Sequence, residues 1–202
     1  MAHGPRYAVK FRRRREGKTN YAKRLALLKS GLPRLVVRSS NNKIIGQIIA
    51  YDPKGDRTLL TVLSTELKNY GWTFGCKNTP AAYLTGVLLG KKALEKNIKD
   101  VVLDIGLKRP TKGAKVFAFA KGAKDAGLQL NLSDKNIPSE ERIKGKHIAD
   151  WLKKDVQTTF NNVLESIKEK IENTREKREG IKEGTKVKSK EIKGRGEKEK
   201  KQ

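Results

Sequence analysis

Residues 34–63 read RLVVRSSNNKIIGQIIAYDPKGDRTLLTVL, and this stretch decides the fold. Three runs rich in Val, Ile, Leu and Thr, namely Arg34 to Arg38, Lys43 to Tyr51 and Thr58 to Leu63, are separated by the turn residues Ser39 to Asn42 and Asp52 to Asp56. Short apolar runs joined by brief polar turns predict an antiparallel meander. Beyond it the hydrophobic period changes. Thr79 is placed to cap a helix with Pro80 at its first position, and Leu84, Val87, Leu88 and Leu94 recur at helical spacing as far as Asn97. Val101 to Ile105 then predicts another strand, after a crossover long enough for parallel pairing with the meander.

Upstream, Thr19 or Asn20 can cap a short helix with Tyr21, Leu25 and Leu28 on one face and Lys23, Arg24 and Lys29 on its wet side. Gly31 stops it, and Pro33 follows. Downstream, a helix over Gly113 to Ala126 turns Val116, Phe117, Ala120 and Ala123 inward, and Leu128 to Leu132 is an expected edge strand. From Ser139 onward, Ile143, Ile148, Trp151, Leu152, Val156, Phe160, Val163, Leu164, Ile167 and Ile171 keep a three-four spacing. That describes one long helix or two in series, whose apolar stripe lies on the sheet domain, on itself, or on a partner.

Composition points to the partner. Of 202 residues, 47 are Lys or Arg and 22 are Asp or Glu, a net charge of +25. Such self-repulsion is relieved beside a dense polyanion, and phosphate backbones supply one through counterion release. The charge is uneven. Residues 1–30 hold ten basic side chains against the single acid Glu16, whereas residues 31–150 hold 21 against 11. Net positive charge is therefore over three times denser in the leading segment. The stretch after Gly180 is nearly all Lys, Glu, Gly and Ser and has no apolar period, so it is not expected to fold alone. No apolar run reaches the length of a membrane span, and the basic N-terminus has no apolar stretch behind it, so neither membrane insertion nor secretion is expected. A single cysteine, Cys76, fits a reducing cytoplasmic setting.

Four adjacent guanidiniums, Arg12, Arg13, Arg14 and Arg15, cannot be a core element, because they would repel one another without anions. Arginine forks onto phosphate oxygens, so the run is expected to contact phosphate, as an arm unfolded when free. Gly17, Lys18 and Thr19 look like the end of a nucleotide-binding loop, but Arg12 stands where that motif needs its first glycine. The loop Gly106 to Gly113 brings Lys108, Arg109 and Lys112 to a helix start whose amides favour an anion, or is simply an exposed basic loop. Lys77 and Asn78 stand at another helix start. Tyr70, Trp72 and Phe74 serve base stacking or the packing of helix on sheet. Gly86 and Gly90 are expected to let their helix approach the sheet closely.

Groups for catalysis are scarce. His3 and His147 are far apart in sequence, and Cys76 is alone, so neither a zinc cluster nor a Cys-His nucleophile has its parts. A meander followed by helix and strand is similar to the ribonuclease H arrangement, which leaves a divalent-metal nuclease as an alternative. Its carboxylates would have to converge, yet Asp52 and Asp56 lie in a turn, Glu66 follows the third strand, and only Asp104 is expected in a central strand. No catalytic residue, metal site or cofactor is therefore expected.

Gly4 to Tyr7 and Phe11 to Thr19 resemble the opening of the archaeal large-subunit ribosomal protein eighteen family, whose eukaryotic relative is protein five. Cys76 to Gly86, Leu103 to Leu107 and Pro138 to Ile143 resemble later blocks of that family, in the same order and spacing, over roughly residues 1–155. The resemblance implies a non-enzymatic structural protein of the cytoplasmic ribosome that binds 5S rRNA and attaches it to the 23S-type large-subunit rRNA at the central protuberance. Neighbouring large-subunit proteins would be its other partners, with no membrane and no homo-oligomer. By the resemblance, Arg6, Arg12 to Arg15, Lys18, Lys23 and Arg24 contact RNA, and so do Lys77, Asn78, Lys108, Arg109 and Lys112. The alternative is a general basic nucleic-acid-coating protein.

The expected architecture is thus α/β: a three-strand antiparallel meander followed by helix-strand-helix, a mixed sheet of the ribonuclease H-like type found in translational-machinery proteins. Residues 1–18 form a basic RNA-threading arm, 19–135 an α/β RNA-binding domain, 136–178 a C-terminal helical extension, and 179–202 a Lys/Glu-rich tail.

Overall fold

The computed structural model of the chain describes residues 4–170, which fall into a unit ending at Val163 and a second beginning at Leu164. His3, Ile171 and the Lys/Glu-rich tail lie outside the described residues.

Strands β1 (Arg34–Ser39), β2 (Ile44–Ala50) and β3 (Arg57–Leu63) pair antiparallel in succession, and β4 (Val102–Asp104) joins β1 in parallel. The result is an open four-stranded mixed sheet in the order β3-β2-β1-β4. Alternation sorts the side chains. Leu35 and Val37 of β1 stand opposite Ile48 and Gly46 of β2, and with Ile44 they form a face that helices α3 (Thr79–Glu95) and α4 (Lys115–Asp125) cover. The other face carries Arg34, Val36 and Arg38. Helix α2 (Tyr21–Leu28) lies over it.

Asn78, not Thr79, caps α3: its Oδ1 accepts the Ala81 amide at 2.8 Å, which moves Pro80 to the second helical position. The glycines of α3 face the other helix instead of the sheet. A Cβ on Gly86 would overlap the Phe119 carbonyl oxygen, and one on Gly122 would overlap that of Tyr83. The sheet makes its own allowance at Gly46, where the Phe119 ring and Leu89 occupy the space a side chain would need. Two helices packed on each other through bare backbone thus form a single slab against the sheet.

Leu128 to Leu132 is not a strand; only Asp100 and Gln129 form an isolated bridge there. The stretch from Ser139 breaks into α5 (Glu140–Ile143), α6 (Lys146–Leu152) and a helix beginning at residue 156, because Gly145 and Lys153 adopt left-handed backbone conformations. Asp155 caps the last of these through the Thr158 amide. In the first unit that helix buries Val156, Phe160 and Val163, whereas Trp151, expected in the apolar stripe, is 81% exposed. In the second unit residues 164–170 are helical.

Candidate nucleic-acid interface

The leading segment takes on local structure. Arg12–Arg15 form one helical turn, α1. Phe11 sets its ring 5.4 Å from that of Tyr21, Arg13 Nε donates to Thr19 Oγ1 at 2.9 Å, and the Lys18 amide closes onto the Arg13 carbonyl. All four arginines remain exposed, as do Arg6 and Lys18. Among the described residues Glu16 is the only carboxylate within reach of the turn, at 3.8 Å from Arg12 Nε and 2.7 Å from Lys18 Nζ. Arg14 and Arg15 pair with no described carboxylate.

Asn20 caps α2 by accepting the Lys23 amide at 3.1 Å. The face that α2 turns inward differs from the sequence expectation. Leu25 is 61% exposed, while Arg24, assigned to the wet side, faces the sheet. Its guanidinium donates to both oxygens of Asp56, at 2.8 and 2.7 Å. Asp56 also accepts Arg34 at 2.6 Å, and Arg34 donates its other terminal nitrogen to Asp104 at 2.9 Å. Arg38 adds a bond to the Asp104 backbone carbonyl at 2.9 Å. Arg24, by donating to it, is the main cause holding the Asp56 carboxyl below its ordinary range, and Arg34 adds to this against partial burial. Of this ladder, Arg34 is the most buried member, at 4% exposure, and its Nε is left without a partner.

The ladder bears on both the arm and the nuclease alternative. It ties the α2 helix that roots the leading segment to β1 and β4, and it leaves a cavity of about 550 Å³ into which Arg13, Lys18 and Lys23 also face. Asp104, expected in a central strand, lies in the edge strand β4. Asp56 and Asp104 are both held by arginines, and Glu66 accepts Lys92 at 2.7 Å. Among the described residues no three metal-ligating side chains converge.

A second group of cations lies on the far side of the loop after β4. Lys108 bonds Ser39 at the end of β1, and with Arg109 and Lys112 it lines a cavity of about 370 Å³. The same cavity takes in Lys115 of α4 and Arg142 of α5, which sequence reasoning missed. Lys115 carried a faint signal, one turn after Lys112; Arg142 arrives from a distant element and carried none. Burial, then the neighbouring ammoniums of Lys77 and Lys108, hold the Lys115 amine below its ordinary range. Asn78 stands beside this group with its carbonyl oxygen committed to the α3 cap. Trp72 is excluded from base stacking by its 2% exposure: its Nε1 donates to the Gly75 carbonyl and Phe74 packs edge-on at 5.5 Å.

The structure therefore gathers the basic residues into two groups, one around α1 and α2 and one around the start of α4, joined by residues 106–110. Residues 5–101 and 95–133 match the family described as ribosomal large subunit proteins 60S L5, and 50S L18. A curated relative, the large ribosomal subunit protein uL18 of the archaeon Methanoculleus marisnigri, is 48% identical over 174 residues, covering 85% of this chain and 99% of its own length. A match over more than half the chain, together with a relative aligned almost end to end, is what descent within one family leaves, and the chain belongs to that family of ribosomal large-subunit proteins.

Proposed function

We propose that this chain is a structural constituent of the large ribosomal subunit that binds 5S rRNA and attaches it to the large-subunit rRNA at the central protuberance, with no catalytic activity. Its partners are then the two RNAs and neighbouring large-subunit proteins, and its place is the cytoplasmic ribosome. One observation carries the reading: the exposed arginine turn Arg12–Arg15 has, among the described residues, almost no acidic neighbour, in a chain whose family is ribosomal.

Arg6, Arg12, Arg13, Arg14, Arg15, Lys18 and Lys23 lie along RNA phosphates, and Arg24 serves chiefly to hold α2 in place. Lys77, Asn78, Lys108, Arg109 and Lys112 form the second contact. Recognition is mainly of RNA shape, since duplex RNA offers backbone and 2′-hydroxyls more readily than base edges. Residues 1–18 act as the arm, 19–135 as the rigid platform, and residues from 136 onward as an extension. The order of strands and helices fits the ribonuclease H-like sheet of translational-machinery proteins used as a scaffold, because both carboxylates nearest the sheet are neutralised by arginines.

Salt dependence tests the reading. If the arm neutralises about six phosphates, log Kd for 5S rRNA against log salt has a slope of magnitude about 5. Deleting residues 1–18 flattens it; an unchanged slope refutes the role of the arm. Equal affinity for 5S rRNA and unrelated structured RNA at physiological salt would point to the coating-protein alternative.

A further inference from the structure

Helix α2 is attached to the sheet by charge more than by packing. None of its residues is buried: Leu27 and Leu28 are half-covered, and Leu25 is exposed. Helix α3, by contrast, buries most of its length. Among the described residues, Arg24 is the only α2 side chain that hydrogen-bonds to the rest of the domain, through its two bonds of 2.8 and 2.7 Å to Asp56. Beneath the helix lies the cavity of about 550 Å³ where a packed layer would otherwise stand. A short helix with so little apolar burial opens at a small free-energy cost compared with the core.

The chain on either side suits such an opening. Gly31, in the left-handed region at φ +68°, joins α2 to β1, and nothing stands within 4 Å of where its Cβ would lie, so no packed side chain restrains the joint. At the other end the arginine turn is coupled to α2, because Phe11 rests 5.4 Å from Tyr21 and Arg13 bonds Thr19 just ahead of the helix. Arg34 holds Asp56 from the sheet side at 2.6 Å, which makes the carboxylate a fixed point for Arg24 to fasten on. With α2 down, Arg13, Lys18 and Lys23 face one cavity beside Arg38. Lifting α2 would disperse them.

We infer that Asp56 is a positioning residue for RNA binding: an acid that promotes the binding of a polyanion, by latching α2 and the leading segment in the arrangement that presents their cations together. It touches no RNA and acts through Arg24. The inference rests on the chain being an RNA binder, not on the RNA being 5S. It also inverts the expectation from charge alone. In a chain of net charge +25, removing an acid strengthens attraction to phosphate, whereas removing the latch weakens binding by populating the lifted state.

The test uses the full chain and two measurements: amide hydrogen exchange of the free protein, and affinity for a structured RNA at physiological salt. Asp56→Asn removes the latch. Asp52→Asn removes the same charge from the same turn and leaves the ladder intact, since Asp52 accepts the Lys54 amide and, among the described residues, no guanidinium. Asp56→Asn is expected to speed exchange in α2 about fivefold while α3 and α4 keep their rates, and to bind RNA about threefold more weakly than Asp52→Asn. Arg24→Lys keeps every charge but loses the forked bond, and is expected to speed α2 in the same way; it decides the matter should Asp56→Asn loosen the whole domain. Three results overturn the proposal: unchanged α2 exchange in both variants, α2 exchanging as slowly as α3 in the wild-type chain, or Asp56→Asn binding RNA as tightly as Asp52→Asn. Failure of the wild-type chain to bind any structured RNA would instead sink the functional reading, while faster α2 exchange in the variants still supported the latch.

Discussion

Replacing Asp104 by Asn removes one charge from the most buried part of the arginine ladder and almost nothing else. Asn is isosteric, and its side-chain oxygen can still accept the Gly106 amide that Asp104 Oδ1 accepts at 2.7 Å. What disappears is the anion facing Arg34, a guanidinium with a side-chain exposure of 5%. Breaking a buried pair by neutralising one partner costs about 3–5 kcal/mol, because the other charge is left in a poor solvent. Arg34 keeps Asp56 at 2.6 Å, so the lower end, about 3 kcal/mol, is expected. For a domain of this size that is a melting temperature lower by roughly 6–12 °C. Calorimetry or chemical unfolding of Asp104→Asn reads it directly. The double variant Arg34→Met with Asp104→Leu, which removes both charges, is expected to be more stable than Asp104→Asn alone, since matched apolar replacement of buried pairs is often close to neutral. A loss below about 1 kcal/mol in Asp104→Asn, or a double variant worse than the single, would refute the claim that the ladder's charges depend on each other. The same variant examines the nuclease alternative: any divalent-metal cleavage of RNA that Asp104→Asn abolished would contradict the structural role given to this carboxylate.

Gly86→Ala forces a methyl into the Phe119 backbone, and overpacking of this kind costs about 1–3 kcal/mol, visible as a lower midpoint in urea. Acid behaviour follows from Asp56, whose native pKa is depressed: its stabilisation is complete above the unfolded carboxyl value of about 4 and is lost as pH falls through the lower folded value. Asp56→Asn is therefore expected to flatten melting temperature against pH on the acid side, and coincident acid limbs for the two proteins would count against the ladder. Asn78→Asp separates two roles of one residue. Asp caps as well as Asn, so stability should hold, while a new negative charge beside Lys77 should weaken RNA binding in a filter assay. Unchanged affinity would confine Asn78 to capping.

The strands and the two main helices were legible because their signals are local. A run such as IIGQIIA has only to alternate, and the period change after Thr79 has only to be sustained. What escaped depended on partners far away in the chain. Arg24 reads as a solvated helix residue until Asp56, 32 positions on, is brought under it. Gly86 was legible as a site of close approach but not as an approach to α4, since only the fold decides which neighbour arrives. Leu128 to Leu132 has strand composition, yet the sheet offers it just one bridge, at Gln129. The apolar stripe after Ser139 is continuous in spacing while the backbone is interrupted at Gly145, where a Cβ would meet Val156 and Pro80. In the candidate interface, the arginine run and the loop cations stood out as local density. Arg142 could not, because its place in the cavity is made entirely by tertiary packing.

The division of labour among the cations follows from how each is solvated. Arg24, Arg34 and Arg38 lie against the sheet, where a guanidinium without an anion would destabilise the fold, and Asp56 and Asp104 meet them there. Arg14, Arg15, Arg109 and Lys112 are exposed, where water carries the charge until a better anion replaces it. Lys115 stands between the two classes, half-buried at the start of α4 in a cavity it shares with the exposed Lys108, Arg109, Lys112 and Arg142 and with no described carboxylate. The loop of residues 106–110 touches both basic groups, with Gly106 set against the Arg38 guanidinium on one side and Lys108 bonded to Ser39 on the other. The ladder that holds α2 against the sheet is thereby joined, through this one loop, to the second group of basic residues.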